Sequence, residues 1–161
     1  MEMLPPILDF EASSLSDTSY PISAGLVVEG QAYYWVIKPQ PDWIDWSLES
    51  QAIHGLKRSF LEEHGVPAHQ VYTEIIEKLN GYQVIYSDAP AWEGLWLQRL
   101  GAFNLRIADI GELIGIDQRE GFSCELAKTF ASNKLTQHRA DHDALAIALT
   151  VEKLLRNDLS R

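Results

Sequence analysis

Two acidic residues, Asp9 and Glu11, lie near the end of an otherwise apolar stretch at the start of the sequence. In a β-strand, side chains two positions apart point to the same face, so both carboxylates share one face and Phe10 lies on the other. Two anions held this close cost free energy unless a cation neutralises them. Carboxylate oxygens suit Mg²⁺ and Mn²⁺, so the pair indicates a divalent metal site. The alternative is a strand end that reaches solvent, where charged residues are well tolerated.

Further acidic residues occur at the predicted starts of two helices later in the chain. Asp88 and Glu93 flank the start of one helix, and Asp143 begins the last helix, five residues after His138. Helix starts favour acidic residues, so capping is the simpler interpretation of each one alone. His138 is either a surface or capping residue or a general base that titrates near neutral pH. If all these residues converge with the first pair, three or four carboxylates without a basic cluster indicate two metal ions.

The elements that must position these residues follow from apolar periodicity and turn signals. A strand over 3–11 precedes β-rich runs over 22–29 and 32–38, which a two-residue hairpin turn at Gly30-Gln31 joins. Helices and strands then alternate. We predict helices over 47–53, 58–64, 68–79, 90–100, 109–114, 122–130 and 140–155, and strands over 82–87 and 105–108. Hairpins imply antiparallel pairing and crossovers imply parallel pairing, so we predict an α/β fold with a mixed sheet and helices on both faces.

Length and composition set limits on the kind of protein this is. The 161 residues are expected to form a single domain over 1–161. The formal charge of −10 excludes a protein that coats nucleic acid or anionic membrane through bulk charge alone. One cysteine allows neither an internal disulfide nor a cysteine metal cluster. The N-terminal sequence lacks a secretory signal, and no apolar run approaches membrane-spanning length, so we expect a cytoplasmic protein without a membrane partner.

Three segments in order resemble the motifs of one enzyme family. Residues 7–15 (ILDFEASSL) look like a strand-Asp-x-Glu motif with small residues and an apolar wedge behind it. Residues 53–56 (IHGL) resemble a segment in which His-Gly is flanked by apolar residues, and residues 138–144 (HRADHDA) match H-x-A-x-x-D-A without a gap. The sequence thus resembles the DEDD 3′–5′ exonucleases, in the subgroup whose third motif carries histidine (DEDDh). The resemblance implies a ribonuclease-H-like fold with five strands in the order 3-2-1-4-5, of which strand 2 is antiparallel.

The second motif departs from the family pattern. The family usually reads H-N-x-x-F-D-x-x-F-L, and residues 88–97 (DAPAWEGLWL) place Glu93 where the Asp is expected and Asp88 where the His is expected. Trp92 and Trp96 fill the aromatic positions. Glu93 is one methylene longer than Asp, and Asp88 is the alternative carboxylate for this role. The departure leaves open either a shifted metal geometry or weakened activity.

The resemblance implies that the site hydrolyses a phosphodiester bond at a nucleic-acid 3′ end with two metal ions. The products would be nucleoside 5′-monophosphates. Two Mg²⁺ or Mn²⁺ ions would be held by carboxylates, with His138 as the proton acceptor. The expected metal residues are Asp9, Glu11, Asp143 and either Glu93 or Asp88. The expected substrate contacts are Ala12, Ser13, Leu15, Ile53 and His54.

The expected partner is single-stranded nucleic acid or a short oligonucleotide. Preference between DNA and RNA, the natural substrate, processivity and oligomeric state remain open, and a homodimer is compatible with the sequence. An alternative function, motivated by the altered second motif, is a catalytically weakened or inactive exonuclease fold that acts as a binding or interaction module.

Overall fold

The computed structural model describes residues 4–101 and 104–158, and the side chain of residue 158 is not part of the description. Met3, which the sequence analysis assigns to the first strand, lies outside the described residues. In chain order the elements are β1 Ile7–Ala12, β2 Pro21–Val28, β3 Gln31–Lys38, α1 Leu48–His54, α2 Arg58–His64, β4 Val66–Pro67, α3 Ala68–Leu79, β5 Val84–Ser87, α4 Pro90–Leu100, β6 Arg106–Asp109, α5 Gly111–Ile114, α6 Ile116–Asn133 and α7 Ala140–Asp158.

The strands form one mixed sheet in the order β4-β3-β2-β1-β5-β6. β2 is antiparallel to both β1 and β3, whereas β5 is parallel to β1 and β6. The predicted α/β class and the predicted order of five strands are therefore confirmed. The one addition is β4, a two-residue strand that pairs in parallel with the end of β3. Its two residues are too few to produce the alternation of apolar residues by which a strand is recognised in a sequence.

The hairpin between β2 and β3 turns one residue earlier than predicted. Val28 is paired with Gln31, so the two turn residues are Glu29 and Gly30, and the predicted Gly30-Gln31 turn is wrong by one position. Glu29 has φ 51° and Gly30 has φ 77°. Positive φ at both positions is typical of a type I′ turn, whose twist matches that of the two strands it joins.

Apolar side chains pack against both faces of the sheet. On one face, Leu8 and Phe10 of β1 are buried in the same core as residues of α3 and α4. On the other face, Ile7 is buried together with Phe122 of α6 and Ile147 of α7. β2 lies between β1 and β3, and helices pack against both of its faces. All eight of its residues are therefore buried. Among residues 4–101 and 104–158, none of the helices combines the length and the apolar character that crossing a membrane requires. The single-domain assignment stays a prediction.

α6 is the helix whose extent the sequence predicts least well. We predict residues 122–130, but the helix covers Ile116–Asn133. Its buried residues are Phe122, Thr129 and Phe130, so residues 116–121 and 131–133 bury no side chain and give no apolar periodicity from which to predict a helix.

The start of α7 lies directly against β2 because of a glycine. A Cβ on Gly25 would overlap with the backbone carbonyl of Ala140 and with the backbone nitrogen of Asp141. Ala140 itself is fully buried. A glycine at this position thus lets the first turn of α7 reach the sheet, beside the end of β1.

We expect Gly25→Ala to destabilise the protein by about 1–3 kcal/mol or more, because the added methyl group meets backbone atoms that cannot rotate away. The matched control is Gly121→Ala on α6, where a Cβ meets open space. That change should stabilise the protein by about 0.5–1 kcal/mol, the usual gain for replacing a glycine within a helix. Urea unfolding of the two variants measures both effects. Equal stability of the two variants would contradict the close packing of α7 on β2.

Candidate functional site

The candidate site lies where β1 runs past the end of its neighbour β5. The two strands pair at Ile7 and Tyr86, and the following residues of β1 have no partner on that side. Leu8 and Phe10 are buried in one core and Ile7 in the other, so Asp9 and Glu11 share the face on which α7 packs. The predicted common face of the two carboxylates, opposite Phe10, is therefore confirmed.

α7 brings Asp143 and His138 to this end of β1. The turn before the helix is tight, with His138 at φ 59°, and the backbone N–H of Asp143 donates to the carbonyl of Arg139 at 2.9 Å. One side-chain ligand atom each from Glu11, His138 and Asp143 lie within 4.8 Å of one another. His138 is exposed, whereas Glu11 and Asp143 are partly buried. Glu11 lies 127 or more positions before the other two residues, so only the fold brings it to them.

α4 brings Glu93 to the same place from the opposite face of the sheet. Glu93 lies in the first turn of α4 and is 2% exposed. The backbone N–H of Phe10 lies near its carboxylate and favours the charged form. Glu93 is also the neighbouring charge that most strongly raises the pKa of Asp9.

Three carboxylate oxygens in this cluster are sealed from solvent without a hydrogen-bond partner. They are Oδ2 of Asp9, Oε2 of Glu93 and Oδ1 of Asp143. A buried carboxylate oxygen without a donor is costly, because it has lost its water and gained nothing in exchange. The arrangement therefore requires either bound protons or a cation.

The pKa values in the cluster are raised accordingly. Burial is the largest cause for all four carboxyl groups. Repulsion from neighbouring carboxylates adds to it, from within the cluster and, for Asp9, Glu93 and Asp143, also from Asp88. The pKa values of Asp9 and Glu93 lie well above the ordinary range for carboxyl groups. The pKa of Glu11 is raised to about 8 and that of Asp143 to about 6, and the two side chains share a hydrogen bond. Without a cation, the cluster therefore retains protons at pH values where isolated carboxylates have lost them.

The residues present fit a divalent cation. Carboxylate oxygens and one imidazole are the donors that Mg²⁺ and Mn²⁺ accept, and a cation at this point would partner the three isolated oxygens. The same cation would also lower the pKa values that burial and repulsion raise.

Asp88, the alternative to Glu93, also lies near the cluster, since its charge raises the pKa of Glu93 more than any other neighbouring charge does. The guanidinium of Arg119 donates to the backbone carbonyl of Asp88 at 2.8 Å and to the carboxylate of Asp109 at 2.9 Å. Burial raises the pKa of Asp88, and Arg119 opposes this more strongly than any other group. Asp88 is the weakest of the four carboxylates that raise the pKa of Asp9. Of the two candidates, Glu93 is the one in closer electrostatic contact with β1.

The residues predicted to contact substrate belong to two segments, the end of β1 with the loop after it and the end of α1. Ala12 and Ser13 are buried at the end of β1, and Leu15 follows with its side chain 71% exposed. At the end of α1, Ile53 is 59% exposed and His54 is partly buried. Three of the five end regular elements, Ala12 in β1 and Ile53 and His54 in α1, whereas Ser13 and Leu15 lie in the loop that follows β1.

His54 carries a polar atom without a partner. Its Nδ1 accepts the backbone N–H of Leu56 at 3.1 Å, so its proton is on Nε2, which is buried and makes no hydrogen bond. The edge of its ring meets the ring of Trp46, with the centroids 6.0 Å apart. Burial, followed by the charge of His138, lowers the pKa of His54 to about 4. His54 is therefore a neutral N–H donor close to His138.

His142, which directly precedes Asp143, makes a structural contact. Its Nδ1 accepts the backbone N–H of Thr136 at 2.9 Å and so fastens the turn that precedes α7. His142 lies one residue before Asp143, about 100° around the helix, so its side chain is directed to this turn rather than to the ligand group of Glu11, His138 and Asp143. Sequence reasoning missed Asp45, whose carboxylate binds the loop after β1, because no spacing along the chain relates it to that loop.

No family model and no curated protein matches the chain. Solved structures match it in fold. They include Escherichia coli Exonuclease I in complex with a dA16 oligonucleotide (TM-score 0.67, 13% identity, covering 96% of this chain and 41% of that one). Exonuclease I from Methylocaldum szegediense matches with TM-score 0.65 and 16% identity, over 97% of this chain and 41% of that one. The zinc-bound complex of E. coli Exonuclease I with single-stranded DNA has TM-score 0.67 and 12% identity, over 100% and 42%. The chain spans about two fifths of the length of these proteins and shares their fold.

The raised pKa values predict that, in a metal chelator, stability falls as pH rises from about 5 to 8. In this range the folded protein keeps protons that the unfolded chain has released, so each step up in pH favours unfolding. Glu11→Gln removes the group whose pKa is raised to about 8. The melting temperature of this variant should therefore exceed that of the wild type by a margin that widens with pH. A margin that stays constant or shrinks between pH 5 and 8 would contradict the protonation of Glu11 in the folded state.

Proposed function

We propose that this protein is a metal-dependent 3′–5′ exonuclease of the DEDDh type. It hydrolyses phosphodiester bonds at the 3′ ends of single-stranded nucleic acid or short oligonucleotides and releases nucleoside 5′-monophosphates. The observation that carries the proposal is the group of three buried, unpartnered carboxylate oxygens beside Glu11 and an exposed histidine. A salt-bridge network is not an alternative explanation of these atoms, because none of the three carboxylates forms an ion pair among the described residues.

In this proposal, Asp9, Glu11, Glu93 and Asp143 hold two Mg²⁺ or Mn²⁺ ions. When bound, such ions lower the pKa of an attacking water and stabilise the charge that forms on the leaving 3′ oxygen. The backbone N–H groups of Phe10 and His138 orient the carboxylates of Glu93 and Asp143 toward the centre of the cluster. The ligands come from two faces of the sheet, so they are already placed before substrate arrives.

His138 accepts the proton of the attacking water. Its exposure and its place in a turn allow the ring to approach a phosphate that enters from solvent. His54, held neutral, offers its free Nε2–H to the terminal nucleotide. Backbone donors of Ala12 and Ser13, with the apolar side chains of Leu15 and Ile53, surround the terminal sugar and base.

The acidic surface influences how substrate is held. With a formal charge of −10, attraction of the phosphate backbone to the protein surface is weak, so the terminal phosphate is captured mainly at the metal ions. This favours short substrates and a distributive mode of action in the cytoplasm. The solved neighbours include complexes with dA16 and dT13 oligonucleotides, which supports single-stranded substrates for this chain.

The proposal is tested by incubating the purified protein with Mn²⁺ and with oligonucleotides labelled at either end. We expect a stepwise ladder from the 5′-labelled strand and immediate release of labelled mononucleotide from the 3′-labelled strand, both abolished by a chelator. His138→Ala should lower the rate by about 10²–10⁴-fold, the usual range for loss of a general base, with Mn²⁺ affinity largely unchanged. His69→Ala, at an exposed position on α3, is the matched control and should retain most of the activity.

Absence of both cleavage and Mn²⁺ binding would contradict the proposal and favour an inactive binding module. Internal cuts without mononucleotides would indicate an endonuclease instead. Full activity of His138→Ala would reject its role as proton acceptor.

The second motif yields a separate prediction. Glu93→Ala should reduce activity about ten-fold or more beyond the reduction in Asp88→Ala, because Glu93 is the carboxylate in closer contact with Asp9. Initial rates at saturating Mn²⁺ measure this, with melting temperatures to verify that both variants are folded. A larger loss in Asp88→Ala would identify Asp88 as the second-motif ligand.

A further inference from the structure

A single carboxylate gathers the hydroxyl groups of the loop that follows β1. Asp45 accepts hydrogen bonds from Ser13 Oγ and Ser14 Oγ at 2.7 Å each and from Ser16 Oγ at 3.1 Å. A longer contact of 3.5 Å comes from the hydroxyl of Thr18. A carboxylate has acceptor sites on both oxygens, so it can serve several donors at once. We call this group of residues the hydroxyl clamp.

The hydroxyl clamp also joins the loop to the start of α1. The backbone N–H of Ser47 donates to the carbonyl of Ser13 at 3.0 Å. Ser47 is the N-cap of α1, and its own hydroxyl accepts the N–H of Ser50 at 3.2 Å. Asp45 and Ser47, two residues apart, therefore hold the loop and the helix in one relative position.

The two segments that the clamp joins carry exposed apolar side chains, and the second segment ends at His54, whose pKa is lowered by burial and by the charge of His138. Leu15, on the loop, is 71% exposed, and Ile53, on the last turn of α1, is 59% exposed. Both side chains are mostly exposed, so packing contributes little to holding them in place. The distance between them is therefore set by the hydrogen bonds that link their backbones.

We propose that Asp45 is a positioning residue that fixes Leu15 relative to Ile53 and His54, and thereby determines how well the protein binds the terminal nucleotide of its substrate. The inference rests on the proposed function, since it concerns the substrate of the same site. Asp45 itself touches neither the carboxylate cluster nor, in this proposal, the substrate.

The charge of Asp45 is what makes the clamp strong. Burial raises the pKa of Asp45, but the hydrogen bonds of the four hydroxyl groups of the clamp together outweigh it and hold the pKa below the usual value. Hydrogen bonds to an ionised acceptor are roughly twice as strong as those between neutral groups. An asparagine has the same shape but one accepting oxygen, and its amide nitrogen would meet hydroxyl donors.

The test compares the wild type with Asp45→Asn. We expect KM for a single-stranded oligonucleotide to rise about ten-fold while kcat changes less than about two-fold. Affinity for Mn²⁺ should be unchanged, affinity for deoxythymidine 5′-monophosphate in Mn²⁺ should fall in proportion to the rise in KM, and amide hydrogen exchange over residues 13–19 should become faster. The matched control is Glu125→Gln, because Glu125 binds Lys128 and Lys153 at 2.5 and 2.7 Å on α6 and α7. This control should leave KM unchanged.

A double-mutant cycle sharpens the result. Ser14→Ala removes one donor to Asp45, so it should have little additional effect on KM once Asp45 is replaced. Additive effects of the two changes would overturn the clamp as the cause. So would an unchanged KM in Asp45→Asn, or an equal loss in kcat and Mn²⁺ affinity, which would indicate general disruption of the site.

Failure of the proposed function gives a different outcome. If the wild type does not cleave oligonucleotides, the activity is wrong, and the nucleotide affinity still decides the role of Asp45. A weaker affinity for deoxythymidine 5′-monophosphate in Asp45→Asn than in the wild type supports the positioning role. Equal affinities, or no binding by the wild type, overturn it.

Discussion

The mutual repulsion of buried carboxylates at the end of β1 is the constraint on which the rest of this structure depends. Asp9, Glu11, Glu93 and Asp143 are kept close in surroundings that favour their neutral forms. Such an arrangement does not form by mutual attraction, so the remainder of the fold must impose it. The two apolar cores provide that force, since each anchors one of the helices that carry the carboxylates.

This arrangement is possible because neighbouring strands of the sheet end at different points along their length. β5 stops near the first residues of β1, which leaves room for Glu93 to reach the Phe10 N–H from the first turn of α4. On the opposite face, Gly25 lets the start of α7 approach β2 without steric conflict. Acidic residues in the first turns of both helices also interact favourably with the helix dipoles, which offsets part of the repulsion. Capping and metal binding are thus compatible uses of the same residues.

The elements with regular apolar spacing agree closely between sequence and structure. α3 and α4 have the predicted limits, since both carry buried residues at helical spacing and end at Asn80 and Gly101 in left-handed conformations. The errors lie where burial is sparse or the element is very short, as in the outer turns of α6 and in β4. The sequence predicts the hairpin turn one residue too late because Gly30 fits either position of a two-residue turn. Only the pairing of Val28 with Gln31 distinguishes the two registers.

The sequence alone was sufficient to propose the carboxylates and the histidine of the candidate site. Strand alternation relates Asp9 to Glu11, because that relation depends only on local backbone geometry, whereas the resemblance of residues 138–144 to a family motif relates His138 to Asp143. It left Glu93 and Asp88 as alternatives, since both flank the start of the same helix. In the tertiary structure Glu93 is buried near the Phe10 N–H, whereas the backbone carbonyl of Asp88 accepts a hydrogen bond from Arg119, and the choice between the two carboxylates stays a prediction. The tertiary structure also brought Asp45 to the loop after β1, a contact across 31 and 32 positions of the chain. Interactions of this kind depend on how distant elements pack, and no local pattern of residues encodes them.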